Sequence, residues 1–377
     1  METYDFVFAG AGCAGLSLVN YLLNSSLKNS KILLIDPLGI QIPNKTWCYW
    51  NEKPLAIHPL SSIHFWESLT LKSGPYSLPK AIGALKYFHL NSHDFFNNIL
   101  ATIKDISTIT IIQDEVLKLT PSETEVEVIT KGGKTIKTSR VFDSRPLDSS
   151  LDSSLKQIFV GWRIKTSKSE FDPSQVVLMD FTSESKNFEF FYLLPFSETE
   201  ALIEYTLYSR EIQSEGSLRS KLEAYLNQKF GPMNYEITFR ESGVIPMTTQ
   251  LKPKKIHPRI IPIGTAGGWT KASTGYTFQN IQKNCQKLVP YLESGATTEF
   301  QIPRSARFDF YDNILLNIAH RWPNKLQSLF LNLFETSSAE QVLKFLSEET
   351  SFTEELKILS KLNFGIFIKS LLRYESH

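Results

Sequence analysis

Cysteine is scarce: Cys13, Cys48 and Cys285 are all that 377 residues contain, scattered and odd in number. That pattern offers no disulfide framework and makes a reducing compartment the expectation. An unbroken apolar run of about 18 residues is also missing, so no spanning helix is expected. The seven histidines show neither an H-E-x-x-H motif nor paired metal spacing. Charge of either sign is not in excess: 40 basic and 39 acidic residues leave a formal net charge of +1, which carries no signal for nucleic acid. The first residues read as a strand entering a glycine loop, hence part of the fold and not a signal peptide.

What is present begins with that loop. Tyr4-Asp-Phe-Val-Phe-Ala-Gly-Ala-Gly-Cys-Ala-Gly15 places G-x-G-x-x-G between a short apolar run and an apolar helical stretch, and Asp36 closes a second apolar run, Ile32 to Ile35. Strand, loop, helix, strand and acid in this order predict a dinucleotide site. Gly10 permits the tight turn, Gly12 lets the backbone approach a pyrophosphate, and Gly15 lets helix and strand pack closely. The helix opening at Cys13 and Ala14 would aim its positive end at the phosphates, and Asp36 would accept from ribose hydroxyls.

Patterning predicts strands over 3–9 and 31–36 around a helix at 13–24, a helix at 92–104, a strand at Ile109–Ile112, and a hairpin turning at Gly132-Gly133. A serine- and aspartate-rich stretch at 148–154 reads as a link. Four strand candidates then follow between 158 and 208, with turn formers beside them, which suggests an antiparallel sheet unlike the parallel start. A helix at 217–229 presents Leu218, Leu222 and Tyr225 on one face. Ile260-Ile-Pro-Ile-Gly264 returns to a buried strand and opens a second glycine-rich segment, Gly264 to Gly275, before a helix to 293. From about 305 the chain reads as helical, most apolar at Gln327–Phe334 and Leu362–Leu372. The resulting expectation is an α/β protein with three parts. Residues 1–50, 85–150 and 255–298 form a discontinuous nucleotide-binding domain. Residues 51–84 and 155–254 form a substrate-binding sheet domain, and 299–377 a helical region. Two glycine segments could grip opposite ends of one large cofactor, and FAD has the length for that.

Aromatic residues are plentiful: 26 Phe, 14 Tyr and 6 Trp. They fit an aromatic core and equally a cavity for a long unsaturated ligand.

Several uncommon strings occur together and in order: Gly10-Ala-Gly-Cys-Ala-Gly15, Thr46-Trp-Cys-Tyr-Trp50, Phe159-Val-Gly-Trp-Arg163, Met179-Asp-Phe181, Phe191-Tyr-Leu-Leu-Pro-Phe196, Ala201-Leu-Ile-Glu-Tyr-Thr-Leu-Tyr208, Gly243-Val-Ile-Pro-Met247 and Gly264 to Phe278. The set resembles lycopene beta-cyclases of the flavoprotein type, from about residue 4 to about 280. The resemblance implies a Rossmann-like FAD-binding fold of the glutathione-reductase or hydroxylase type. It also implies closure of the acyclic ends of lycopene to beta-ionone rings without net redox change. Reduced FAD, supplied by NADPH or another donor, is implied too, as is a cytoplasmic protein held peripherally at the inner face of a membrane. Glu204 matches the first glutamate of the family's F-L-E-E-T motif, with Tyr205 in the second place. A polyene cyclase needs a carboxyl kept protonated by burial, and Glu204 has apolar neighbours suited to that. Asp180 and Glu241 are further candidates, each either a proton acceptor or a structural partner. Trp47, Tyr49, Trp50, Trp162, Tyr192 and Trp269 either line a polyene tunnel, offering π-density to a cation, or belong to the core. Gly264-Thr265 stands where many relatives in the wider fold have Gly-Asp. Backbone N–H groups of Ala266, Gly267 and Gly268, with Gly275 beyond, are therefore the expected contacts to the ribityl chain. Glu348 and Glu349, in a stretch that mimics the motif, are expected to face solvent on a helix. Two alternatives remain beside the cyclase: a redox flavoprotein acting on an isoprenoid, which changes product mass, and a flavin-free prenyl-lipid carrier.

Overall fold

The computed structural model describes residues 2–41, 44–146, 154–182, 185–231, 234–250, 257–302, 304–362 and 364–377. In chain order the elements are β1 (Glu2–Ala9), α1 (Cys13–Leu23), β2 (Ile32–Asp36), β3 (Thr46–Asn51), β4 (His64–Trp66), β5 (Ser68–Ser73), β6 (Tyr76–Ala81), β7 (Lys86–Asn91), α2 (Ser92–Ile103) and β8 (Ile109–Gln113). Next come β9 (Val116–Pro121), β10 (Val126–Thr130), β11 (Thr135–Asp143), β12 (Leu155–Thr166), β13 (Val176–Phe181), β14 (Glu189–Ser197), β15 (Glu200–Ser209), α3 (Glu215–Phe230) and β16 (Tyr235–Met247). The chain ends with β17 (Ile260–Pro262), α4 (Phe278–Glu293), α5 (Ala306–Arg321), α6 (Leu326–Thr336), α7 (Ala339–Leu346), α8 (Phe352–Leu359) and α9 (Phe364–Leu372).

The first sheet has seven strands in the order β8-β2-β1-β11-β10-β9, with β17 also on β11. Its β8, β2, β1, β11 and β17 run parallel, as a βαβ crossover through α1 demands. These strands are continuous apolar runs because both faces are covered, Phe8 and Leu34 by α1, α2 and α4, Val7 and Ala9 by residues of β9, β10 and β11, and all four are fully buried. The second sheet, also seven-stranded, runs β16-β12-β15-β14-β13-β5-β6. It is antiparallel except where β13 meets β5. Residues 68–81, far away in sequence, thus extend the sheet built by 155–247. A three-stranded sheet, β3-β7-β4, joins the two.

The expected α/β architecture with an inserted antiparallel sheet and a helical C-terminal region is what the chain adopts. The strands β3 to β7 are not among those that the sequence patterning predicts. The 148–154 link lies almost wholly outside the described residues. Among the described residues no helix is long and apolar enough to cross a membrane.

Candidate active site

Strand alternation sorts the second sheet into two faces. Along β15, Leu202, Glu204, Thr206 and Tyr208 line a cavity of about 510 Å³, while Ile203, Tyr205 and Leu207 pack in the opposite core with α3. Pairing places Tyr192 of β14 opposite Glu204, Glu204 opposite Gly161 of β12, and Gly161 opposite Glu241 of β16. One row across four strands therefore reads Tyr192, Glu204, Gly161, Glu241. The glycine leaves the space between two carboxyl groups open. A Cβ there would stand 3.2 Å from Glu241 Cγ and 3.6 Å from Glu204 Cβ.

The two carboxyls are differently held. Glu204 Oε1 accepts from the Thr206 hydroxyl at 2.7 Å. Glu241 Oε2 accepts the Thr46 N–H at 2.9 Å, while its Oε1 is buried with no hydrogen-bond partner among the described residues. Burial, reinforced by the charge of Glu241, pushes the Glu204 carboxyl from an ordinary 4.5 up to about 8, against the Thr206 hydroxyl and Lys45. Burial raises Glu241 as well, opposed by the Thr46 donors and Lys45. Lys45 is tied by its Nζ to the Ser242 carbonyl. The site can thus hold one carboxyl protonated at neutral pH beside a second with a free acceptor oxygen.

Around this row the wall is phenolic and aromatic. Tyr87 hydrogen-bonds Tyr192 and, at 3.2 Å, Tyr276. Burial raises all three phenols, which keeps them neutral donors. Trp50 meets the Tyr276 ring edge-on at 4.6 Å and is anchored by Nε1 to the Leu343 carbonyl at 3.0 Å. Trp47 stacks on Phe278 at 5.2 Å.

The same cavity reaches the glycine segments: Gly12, Cys13, Ala14, Gly264, Thr265 and Gly275 all line it. The loop residues fit a dinucleotide. Gly10 has φ +111°, and a Cβ on it would collide with Ser144 Oγ at 2.2 Å. A Cβ on Gly15 would lie 2.6 Å from the Gly10 carbonyl oxygen, whereas Gly12 faces open space. Gly12 caps α1 without a side-chain acceptor, which leaves first-turn N–H groups for an anion. Asp36 turns inward to its own loop: Oδ2 accepts Ala11 N–H at 2.8 Å and Oδ1 accepts Leu38 N–H at 2.9 Å. Each oxygen keeps a lone pair for a ribose hydroxyl.

Other candidates are placed elsewhere. Asp180 lies on the α3 face, where its Oδ2 accepts from Tyr225 at 2.8 Å and from Lys229 Nζ at 2.6 Å. An irregularity in the β13–β14 pairing beside it accounts for the turn away from the cavity. There it pairs with Lys229 and does not line the cavity. Trp162, opposite Ile203, also faces α3. Tyr49 is buried against Phe88 and bonded to His58, and Trp269 is buried in the nucleotide-domain core. The Gly267 and Gly268 N–H groups are spent within their own turn, on the Ile263 and Thr265 carbonyls. Neither they nor Ala266 line the cavity, whereas Thr274 to Phe278, leading into α4, do. Glu348 does not face solvent on a helix. It sits in a turn with φ +61°, paired with Arg304 and with Lys271 at 2.9 Å. Glu349, more exposed, pairs with Lys283 at 2.5 Å. Gly161, Lys45, Tyr87, Thr206 and Tyr276 were not singled out in advance. A glycine inside a strand was the available signal for the first.

A parallel nucleotide sheet with a glycine loop, a second sheet over a shared cavity, and a helical cap define the flavoprotein fold of reductases, halogenases and monooxygenases. A geranylgeranyl bacteriochlorophyll reductase-like protein from Thermoplasma acidophilum shares it at 14% identity and TM-score 0.64, over 99% of both chains. The flavin-dependent brominase Bmp2 is similar at 12% identity and TM-score 0.61, over 98% of both chains. Halogenase PltM, solved with phloroglucinol and FAD, is similar at 10% identity and TM-score 0.56, covering 95% of this chain and 85% of its own. Identities this low speak for the fold alone. No curated protein sequence matches the chain. The chain belongs to the lycopene cyclase family, whose model, described as "Lycopene cyclase protein", matches residues 5–373.

Proposed function

We propose that this protein is an FAD-dependent lycopene beta-cyclase, converting acyclic ends of lycopene to beta-ionone rings through gamma-carotene to beta-carotene. The observation that carries the reading is the pair Glu204 and Glu241 across Gly161, in a cavity that also reaches the glycine loops. Glu204, kept neutral by burial, delivers its proton to the terminal double bond. The electrons of a neighbouring double bond then close the ring on the resulting tertiary cation. A carbon-bound proton leaves to the unpartnered oxygen of Glu241, which restores a neutral product. Mass is unchanged and no electrons are transferred. The phenols of Tyr87, Tyr192 and Tyr276 and the Trp50 ring wall the cavity against water and offer π-density to the cation.

Gly10, Gly12, Gly15, the N-terminus of α1, Gly264, Thr265 and Gly275 would hold FAD. In its reduced form, maintained by NADPH or another donor, the flavin would supply electron density that stabilises the cation. The proposed workplace is the inner face of a membrane, which is consistent with the exposed apolar residues of α9, among them Leu372 at 80% exposure.

Expression in a lycopene-accumulating host tests the reading. The expected pigment is a cyclic isomer of lycopene, lost in Glu204→Gln with flavin retained. A product of altered oxygen or hydrogen content would instead establish a redox flavoprotein, and a colourless protein a carrier.

A further inference from the structure

A second cavity, about 270 Å³, lies among the C-terminal helices α5, α6, α7, α8 and α9. Native cores tolerate few voids larger than a water, and an engineered dry cavity of about 150 Å³ already takes up a hydrophobic guest. At about 270 Å³ this one is larger than such a guest site and opens to the outside. Its lining is aliphatic and aromatic apart from one corner, and there the polar groups satisfy each other. Lys271 pairs with Asp312 at 2.7 Å, Ser273 donates to Asp312 at 2.6 Å, and Tyr311 donates to Glu355 at 3.1 Å. No buried polar group in this corner asks for a ligand's hydrogen bond, so the chemistry suits a hydrocarbon.

Two features connect it. Phe330 and Leu346 line both this cavity and the first, and therefore form the partition between them. At the opposite side Phe364, Ile368 and Leu371 of α9 line it while remaining more than half exposed, which makes them the rim of an opening to the outside. The first cavity, at about 510 Å³, is within the roughly 300–1,000 Å³ that one drug-sized ligand fills. A flavin ring and an entire long polyene together exceed what a site of that size ordinarily holds.

We infer that the second cavity is a hydrocarbon subsite: it houses the unreacted stretch of the long polyene whose end lies at Glu204, with Phe330 and Leu346 as the passage and α9 as the rim of entry. The identity of the occupant rests on the proposed function; the site itself rests on the lining and the shared wall. A substrate held this way keeps its apolar length out of water while one end reacts.

The test uses the flavin-loaded full chain and a long-chain alkyl diazirine, with labelled residues mapped by mass spectrometry. The expected result is labelling of the inward residues Ile314, Leu315 and Leu329, suppressed by added lycopene. Leu315→Trp, which narrows the chamber, should cut that labelling at least about tenfold. Should that variant not fold, Leu346→Trp at the passage is expected to keep Ile314 and Leu315 labelled while cyclisation is lost. Labels confined to the strands of the first cavity, or lycopene failing to compete, would overturn the inference. Glu204→Gln separates the two claims: unchanged labelling with normal cyclisation removes the catalytic assignment and leaves the subsite standing.

Discussion

Replacing Glu204 by glutamine should make the protein more stable than wild type, increasingly so as pH rises. In the unfolded chain this carboxyl ionises near its ordinary 4.5, whereas in the fold burial holds it protonated up to about 8. Below the lower value both states carry the proton, and Glu204 does not make stability depend on pH. Between the two, the unfolded chain releases its proton and the native state does not, so each pH unit costs wild type about 1.4 kcal/mol. Above about 8 the loss is complete, with a ceiling near 4–5 kcal/mol. Water entering the cavity screens the charge, and about 2–3 kcal/mol is the expected plateau. Glutamine keeps the amide neutral at every pH and can still accept from Thr206. Urea melts of both proteins, matched for flavin content, at about pH 5 and about pH 9 measure the difference. Near-equality at the lower pH and a clear advantage for the variant at the higher are expected. A pH-independent difference, or a wild type that gains on the variant with pH, would refute a buried, protonated Glu204.

Three further outcomes follow from the geometry. Gly161→Ala places a methyl 3.2 Å from Glu241 Cγ and should lower kcat about tenfold, with flavin absorbance and urea midpoint nearly unchanged. Glu241→Gln should cost on the order of 10²–10⁴ in kcat. Because the Glu241 charge helps raise Glu204, any residual activity should lose its alkaline limb at a lower pH than wild type, as a pH–rate profile will show. Asp180→Asn weakens the buried contact to Lys229 and Tyr225 and should cost about 2–4 kcal/mol in denaturation with product composition unaltered; an inactive but equally stable Asp180→Asn would move that residue back into the chemistry.

Much of this was legible from residues alone. The glycine loop, α1, β2 and Asp36 follow from local patterning. The sheet from β12 to β15 follows from apolar runs bounded by turn formers. Glu204 is singled out by the resemblance, as the first glutamate of the F-L-E-E-T motif, with its apolar strand neighbours in support. Face assignment was less accessible. Asp180 and Trp162 share strands with cavity residues, and only the register, with the irregularity in β13, shows them on the α3 side. The residues from Thr46 to Asn91 were opaque for another reason. Their strands are short and, apart from the β5–β6 hairpin, pair across long sequence distances, so tertiary contacts rather than local period decide them. Glu348 shows the same limit: its motif-like surroundings read as an exposed helix, whereas distant Arg304 and Lys271 draw it into a turn.

The Lys271–Asp312–Arg304–Glu348 network has a consequence for anyone shortening this chain. Lys271 is only 6% exposed, and its carboxylate partners come from residues 312 and 348. Removing the last seventy-odd residues would take away both carboxylates and the helical wall over Lys271, just before Gly275 in the lining of the first cavity. The terminal helices therefore behave as a clasp that must be fastened for the nucleotide end to hold its shape, and truncation should release flavin before it releases anything else.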